Sequence, residues 1–141
     1  MPFKNIAAIA GSAMNAQTVR LNTIASNLAN AGTVASSEAE AYHARKPVFA
    51  AIYQREAFSN DPIPGARVQV LDVVQSTEPV RAAFEPDNPL ANEEGMVFYS
   101  NVNSVAEMTD MLSAARAFET NAEVLNRVKS MQQSLLRMGE R

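Results

Sequence analysis

The chain has 141 residues, one domain's worth or a small domain carrying long appendages, and with 47 % apolar residues a core is within reach and disorder throughout is excluded. A formal charge of −3 leaves no basic footprint, so neither nucleic acid nor a membrane surface is an expected partner. Without cysteine there can be no disulfide, no thiolate zinc site and no thiol chemistry.

The first ten residues carry Lys4 as their one charge and the patch Ile6-Ala7-Ala8-Ile9-Ala10, too weakly apolar for a secretory h-region, so no cleaved signal peptide is expected. No run of 18 apolar residues exists, and no direct membrane insertion is expected. Residues 4–30 contain no proline, and Phe3, Ile6, Ala10, Met14, Leu21, Ile24 and Leu28 recur at steps close to 3.6, with Gln17 as the polar gap. This spacing predicts a helix with one apolar stripe, capped near Gly32. Between residues 5 and 37 the only charge is Arg20. A second stripe of Ser12, Asn15, Thr18, Asn22, Ser26 and Asn30 is polar yet uncharged, which suits hydrogen bonding across tight interfaces. A solvent face is the alternative, against which the near absence of Lys and Glu argues.

Residues 31–46 show no period and are expected to form an extended connector, followed by a small β-rich domain over 47–103. Residues 48–53 and 66–74 are rich in β-branched and aromatic types, with the turn signal Asp61-Pro62-Ile63-Pro64-Gly65 between them. The alternation slips phase near Val70, where a bulge is expected. A third strand is expected over 80–84, ahead of Glu85-Pro86-Asp87-Asn88-Pro89.

Ser104-Val105-Ala106-Glu107 has the form of a capping box, and the chain then runs without Gly or Pro to Met138, with Gly139 as the stop. Met111, Ala115, Phe118, Ala122 and Leu125 are spaced 4, 3, 4, 3, a coiled-coil rhythm that Val128, Met131, Leu135 and Met138 continue after one short step. At 1.5 Å per residue this helix would be roughly 50 Å long and the first roughly 40 Å, against roughly 37 Å for the diameter of a compact globule of this length. The longer helix should protrude and find part of its burial in quaternary packing. The expected fold is α+β: long N- and C-terminal helices paired as an antiparallel coiled-coil-like hairpin (1–30 and 104–141), with a small antiparallel β unit between them. In that pairing Leu28 lies near the start of the second helix, Ile6 near its end, and Leu125 faces the stretch from Ala10 to Met14.

Nothing in the residues points to catalysis. His43 is the single histidine and has no second histidine or cysteine to share a metal, while Glu93-Glu94, Asp61 and Asp87 sit beside glycine or proline as turn formers. Five glycines never form a phosphate loop, and the charges of the last helix are balanced in sign. No enzyme activity, cofactor or metal is expected.

Arg20-Leu21-Asn22-Thr23-Ile24-Ala25-Ser26-Asn27-Leu28-Ala29-Asn30-Ala31-Gly32-Thr33 resembles the N-terminal signature of the bacterial flagellar rod and hook family. Ala115-Arg116-Ala117-Phe118-Glu119-Thr120-Asn121-Ala122-Glu123-Val124-Leu125-Asn126 resembles that family's closing helix, with Phe118 where relatives often carry tyrosine. The short length, Tyr42-His43-Ala44-Arg45-Lys46-Pro47-Val48-Phe49, and the passage from Asn88-Pro89-Leu90 to Asn101-Val102-Asn103 are similar to the proximal-rod members. Thr33 is followed by Val34-Ala35-Ser36-Ser37 where many sister rod proteins carry Pro-Gly-Tyr.

The resemblance implies a structural subunit of the cell-proximal rod, crossing the periplasm, exported by the flagellar secretion apparatus without a cleaved signal. It would assemble through its terminal helices with copies of itself and other flagellar rod proteins, the β unit outside, and transmit torque. The assembly residues implied are Ile6, Ala10, Met14, Leu21, Asn22, Ile24, Ser26, Asn27, Leu28 and Asn30 on the first helix. On the last they are Met111, Ala115, Phe118, Ala122, Leu125, Val128 and Leu135. The alternative from another class is a helical-hairpin adaptor docking one partner through its C-terminal helix.

Overall fold

The computed structural model describes residues 2–54 and 65–139. Its elements in chain order are α1 (Pro2–Asn30), β1 (Val34–Ala35), β2 (Arg45–Gln54), β3 (Gly65–Gln75), β4 (Arg81–Phe84), β5 (Met96–Tyr99) and α2 (Ser104–Gly139). The two helices pack against each other, and among the described elements α1 alone packs on α2. Arg20 Nη2 donates to Asp110 Oδ1 at 3.1 Å, tying the C-terminal half of α1 to the first turns of α2. With β1 to β5 between the helices, the α+β hairpin expected from the spacing is the observed fold.

The β unit is two antiparallel sheets rather than one: a ribbon of β2 and β3, and a three-stranded sheet in the order β1-β5-β4. In the ribbon Val48 pairs with Asp72 and Phe49 with Val70, so Leu71 is the extra residue of a bulge, where the alternation slips. The turn expected at Asp61-Pro62-Ile63-Pro64 lies outside the described residues, and Gly65 opens β3. The connector is not without strand, since Val34–Ala35 pairs with Tyr99 and Phe98 of β5. The periodicity also passes over β5 itself, a four-residue apolar run between Gly95 and Ser100.

The ribbon lies along α1. At its base Asn27 holds the backbone of Arg45, and further along Val68 N donates to Ser12 Oγ at 3.1 Å. The rise from Ser12 to Asn27 on a helix and from Val68 to Gln75 on a strand is about 23 Å in each case, so the two elements keep step.

Both helix ends differ from the motif-based expectation. Asn103 Oδ1, not the Ser104 hydroxyl, accepts from the amides of Val105 (3.1 Å) and Ala106 (3.2 Å) and caps α2. Glu107 does not complete a capping box; it is 7 % exposed, on the buried line of α2. Nor is Gly32 a left-handed cap, for Gly95 alone among the described residues has positive φ. The end of α1 is closed by Thr33, whose amide and hydroxyl both donate to the Asn30 carbonyl.

In the loop between β4 and β5, Gly95 has φ of 74° and its missing Cβ would sit 2.8 Å from Phe84 Cε2. Gly95→Ala is expected to destabilise the subunit by about 1–2 kcal/mol, chiefly from the forced left-handed backbone, as a lowered thermal midpoint reads out. An unchanged midpoint would show that the loop relaxes to negative φ. Beside it Asn88 Nδ2 donates to Glu85 Oε2 (2.9 Å) and Tyr99 Oη to Glu85 Oε1 (2.7 Å), with the Arg81 guanidinium 4.6 Å from the centre of the Tyr99 ring. The bonds from Asn88 and then Tyr99 hold the Glu85 carboxyl below its ordinary value, and the same carboxylate raises the Tyr99 phenol. A depressed carboxyl pKa contributes stability present above the unfolded value and lost as pH falls through the folded one. Acid titration should therefore shift the Tyr99 ring resonances in the wild type, with the change absent in Glu85→Gln; identical titrations would exclude the clasp.

Candidate assembly interface

The expected assembly residues divide into two groups. Ala10, Ile24, Asn27 and Val128 are buried in the chain's own packing. Met14, Leu21, Ser26, Leu28 and Asn30 on α1, and Met111, Ala115, Phe118, Ala122 and Leu125 on α2, are half-buried; Ile6, Asn22 and Leu135 are exposed. The deepest line on α2 is Glu107, Ala114 and Val128, steps of seven and fourteen. Ala114 was missed by the periodicity because alanines flank it at Ala115 and Ala117; only the approach of α1 distinguishes it.

The pairing register can be read from Arg20 and Asp110. Leu125 lies about fifteen residues, or about 22 Å, beyond Asp110 toward the end of α2. That places it opposite the first turns of α1, around Ile6, rather than opposite the stretch from Ala10 to Met14. Val128 is the last buried residue, and residues 129–139 are exposed throughout. The longer helix thus protrudes past the start of α1, as its length requires.

The uncharged stripe of α1 is split by the ribbon and the connector. Ser12 Oγ receives the Val68 amide, and Ser26 Oγ lies 3.1 Å from the Tyr42 hydroxyl. Asn15, Thr18 and Asn22 stay exposed, and with Gly11, Ala25 and Ala29 they line an uncharged outer face at steps of 4, 3, 4, 3, 4.

Asn27 is 1 % exposed and works within the subunit. Its Oδ1 accepts from the Arg45 amide (2.9 Å) and the Tyr42 hydroxyl (3.1 Å), and its Nδ2 donates to the Arg45 carbonyl (2.8 Å). The side chain thus satisfies both backbone groups at the start of β2, as a neighbouring strand would. Asn101, which the sequence marks as part of a motif but without a role, has a similar part: Oδ1 accepts from Ala44 N (2.6 Å) and Nδ2 donates to Glu78 O (2.8 Å). A groove of about 250 Å³ between α1 and the ribbon is lined by Val19, Asn22, Thr23, Ser26, Arg45 and Val73. No carboxylate pair or nucleophile with a base converges there. His43 Nδ1 lies 3.5 Å from Asn101 Nδ2, and Glu93 and Glu94 are exposed. Among the described residues no cluster of His, Asp and Glu could hold a metal ion, and no helix is long and apolar enough to cross a membrane.

Both ends of the chain match family models: residues 8–34 that of the "Flagella basal body rod protein", and residues 93–138 that of the "Flagellar basal body rod FlgEFG protein C-terminal". A long helix pair with matches of this kind at each end defines a flagellar basal-body rod protein. Relatives extend over nearly the whole chain. The flagellar basal-body rod protein FlgC of Escherichia coli O6:H1 is 43 % identical over 99 % of this chain and 100 % of its own length, and that of Salmonella typhimurium likewise 43 % over 99 % and 100 %. The same protein from Borreliella burgdorferi is 31 % identical over 91 % of each chain. The chain belongs to the FlgC family of flagellar basal-body rod proteins.

Proposed function

We propose that the chain is a structural subunit of the flagellar basal-body rod that assembles through its terminal helices and carries torque through their contacts. The observation behind this is that α1 and α2 cover each other on one side only. The outer face of α1 stays uncharged, and Val105, Met108, Leu112, Met131 and Leu135 of α2 stay exposed. A helix that ended its life in water would carry Lys and Glu at those places. The terminal helices, 1–30 and 104–141, form the assembly domain, 31–46 the connector, and 47–103 the β-rich outer part. Partners are copies of the chain and other flagellar rod proteins, in the proximal, periplasm-spanning part of the rod, with export by the flagellar apparatus. The adaptor alternative is not favoured, since the relatives matched over nearly the full length are rod proteins.

The test is electron microscopy of basal bodies from cells whose only copy carries a peptide label in the loop between β4 and β5. Label on the rod is the expected result, and label confined to the cytoplasmic face would reject the reading. His43→Ala and Glu93→Gln are expected to leave swimming intact, because Glu93 is exposed and losing the long His43–Asn101 contact leaves both backbone bonds of Asn101 in place. Loss of motility at normal protein level in either variant would reveal a site.

A further inference from the structure

Two apolar stripes on α2 are left uncovered. Near its start Val105, Met108 and Leu112, at steps of three and four, are 56–75 % exposed; near its end Met131, Leu135 and Met138 are 48–66 % exposed. The second stripe prolongs the intramolecular seam. Leu135 follows Val128 by seven residues, so the line that α1 covers runs on past the start of α1 with none of the described residues covering it.

At 100° per residue the two stripes are turned roughly 110° from each other around α2. An isologous, two-fold pairing of α2 with α2 that covered both stripes would need them on one face, and one that paired tail with tail or head with head would leave the other stripe bare and set like charges together. Tail on head meets no such restriction. The tail stripe of one copy can lie on the head stripe of the next, with the next copy's own tail free to repeat the contact. Charge agrees with that order. Residues 104–123 carry four acids (Glu107, Asp110, Glu119, Glu123) against Arg116, whereas residues 124–139 carry Arg127, Lys129 and Arg137 and no acid.

We infer that the protruding tail of α2 docks on the head stripe of α2 in a second copy of this chain, a heterologous contact that does not close on itself. This deepens the proposed assembly role and rests on it, naming which surfaces meet.

The absence of cysteine makes the test direct. Full-length Leu135→Cys and Met108→Cys are purified separately, checked by circular dichroism for unchanged helix content, and oxidised alone and mixed at concentrations where the unaltered chain sediments as oligomers. The expected result is a disulfide dimer abundant in the mixture and at least about ten-fold scarcer in either variant alone. A dominant dimer of Leu135→Cys alone, or of Met108→Cys alone, would show an isologous contact and overturn the inference. No cross-link in a mixture that still sediments as oligomers would also overturn it and leave the rod assignment standing. If the unaltered chain does not oligomerise at any concentration, a second copy is not the occupant, and basal-body labelling then decides separately whether the rod assignment survives.

Discussion

Leu125→Asp is expected to abolish recovery of basal-body rods, while Arg127→Gln leaves it normal. Leu125 is half-buried where α2 meets the first turns of α1, three residues before Val128 closes the shared seam. A carboxylate there forfeits about 1–2 kcal/mol of apolar burial and adds the cost of desolvating a charge. Arg127 is different. Its guanidinium bonds Glu123 one turn back on a mostly exposed face, where solvent screening leaves such a pair little weight in stability. In a rod built of many such pairs the seam penalty recurs at every subunit that carries the change. The comparison is made by counting intact basal bodies from cells making each variant at equal level. Normal rods with Leu125→Asp would remove the terminal helix pair as the assembly element.

Asn27→Ala is expected to cost the isolated subunit about 2–4 kcal/mol, read as a lowered urea midpoint. The change deletes three hydrogen bonds at once, leaving the amide and carbonyl of Arg45 and the Tyr42 hydroxyl without the partner they share, beside a position that is 1 % exposed. The effect should be local in its first stage. With its base released, the β2–β3 ribbon retains Val68 on Ser12 but loses its fixed direction along α1, so proteolysis within β2 should precede loss of helical circular dichroism. Asn22→Ala, on the exposed face five residues away, should change stability by less than about 0.5 kcal/mol. Equal midpoints for the wild type and Asn27→Ala would mean that water replaces the amide and that the ribbon is held elsewhere.

The contrast between Asn22 and Asn27 shows how far the residues alone could lead. Both belong to one motif, both are uncharged amides on a helix, and both were natural candidates for contacts between subunits. Membership of the motif could not separate them. Only the return of the connector, which brings Tyr42 and Arg45 back onto α1, makes Asn27 an internal clamp and leaves Asn22 in the open.

What the sequence by itself determined is what depends on local rules. Steps of three and four mark two long helices, the phase slip near Val70 marks the bulge, and the relative lengths require α2 to overhang. The uncharged stretch 5–37 marks α1 as a helix that water does not fully surround. Tertiary structure decided whatever depends on which neighbour arrives. Ala114 is buried and Ala115 only partly so because α1 approaches one side of α2. The cap falls on Asn103 rather than Ser104 because the chain leaving β5 presents that amide to the free helix N–H groups. The β-rich stretch becomes two sheets because β5 pairs with β4 on one side and, once residues 31–44 fold back beside α2's entry, with β1 on the other, rather than with the β2–β3 ribbon. A strand of two to four residues has too few side chains to announce a period, and β1 makes its ladder with a strand far along the chain.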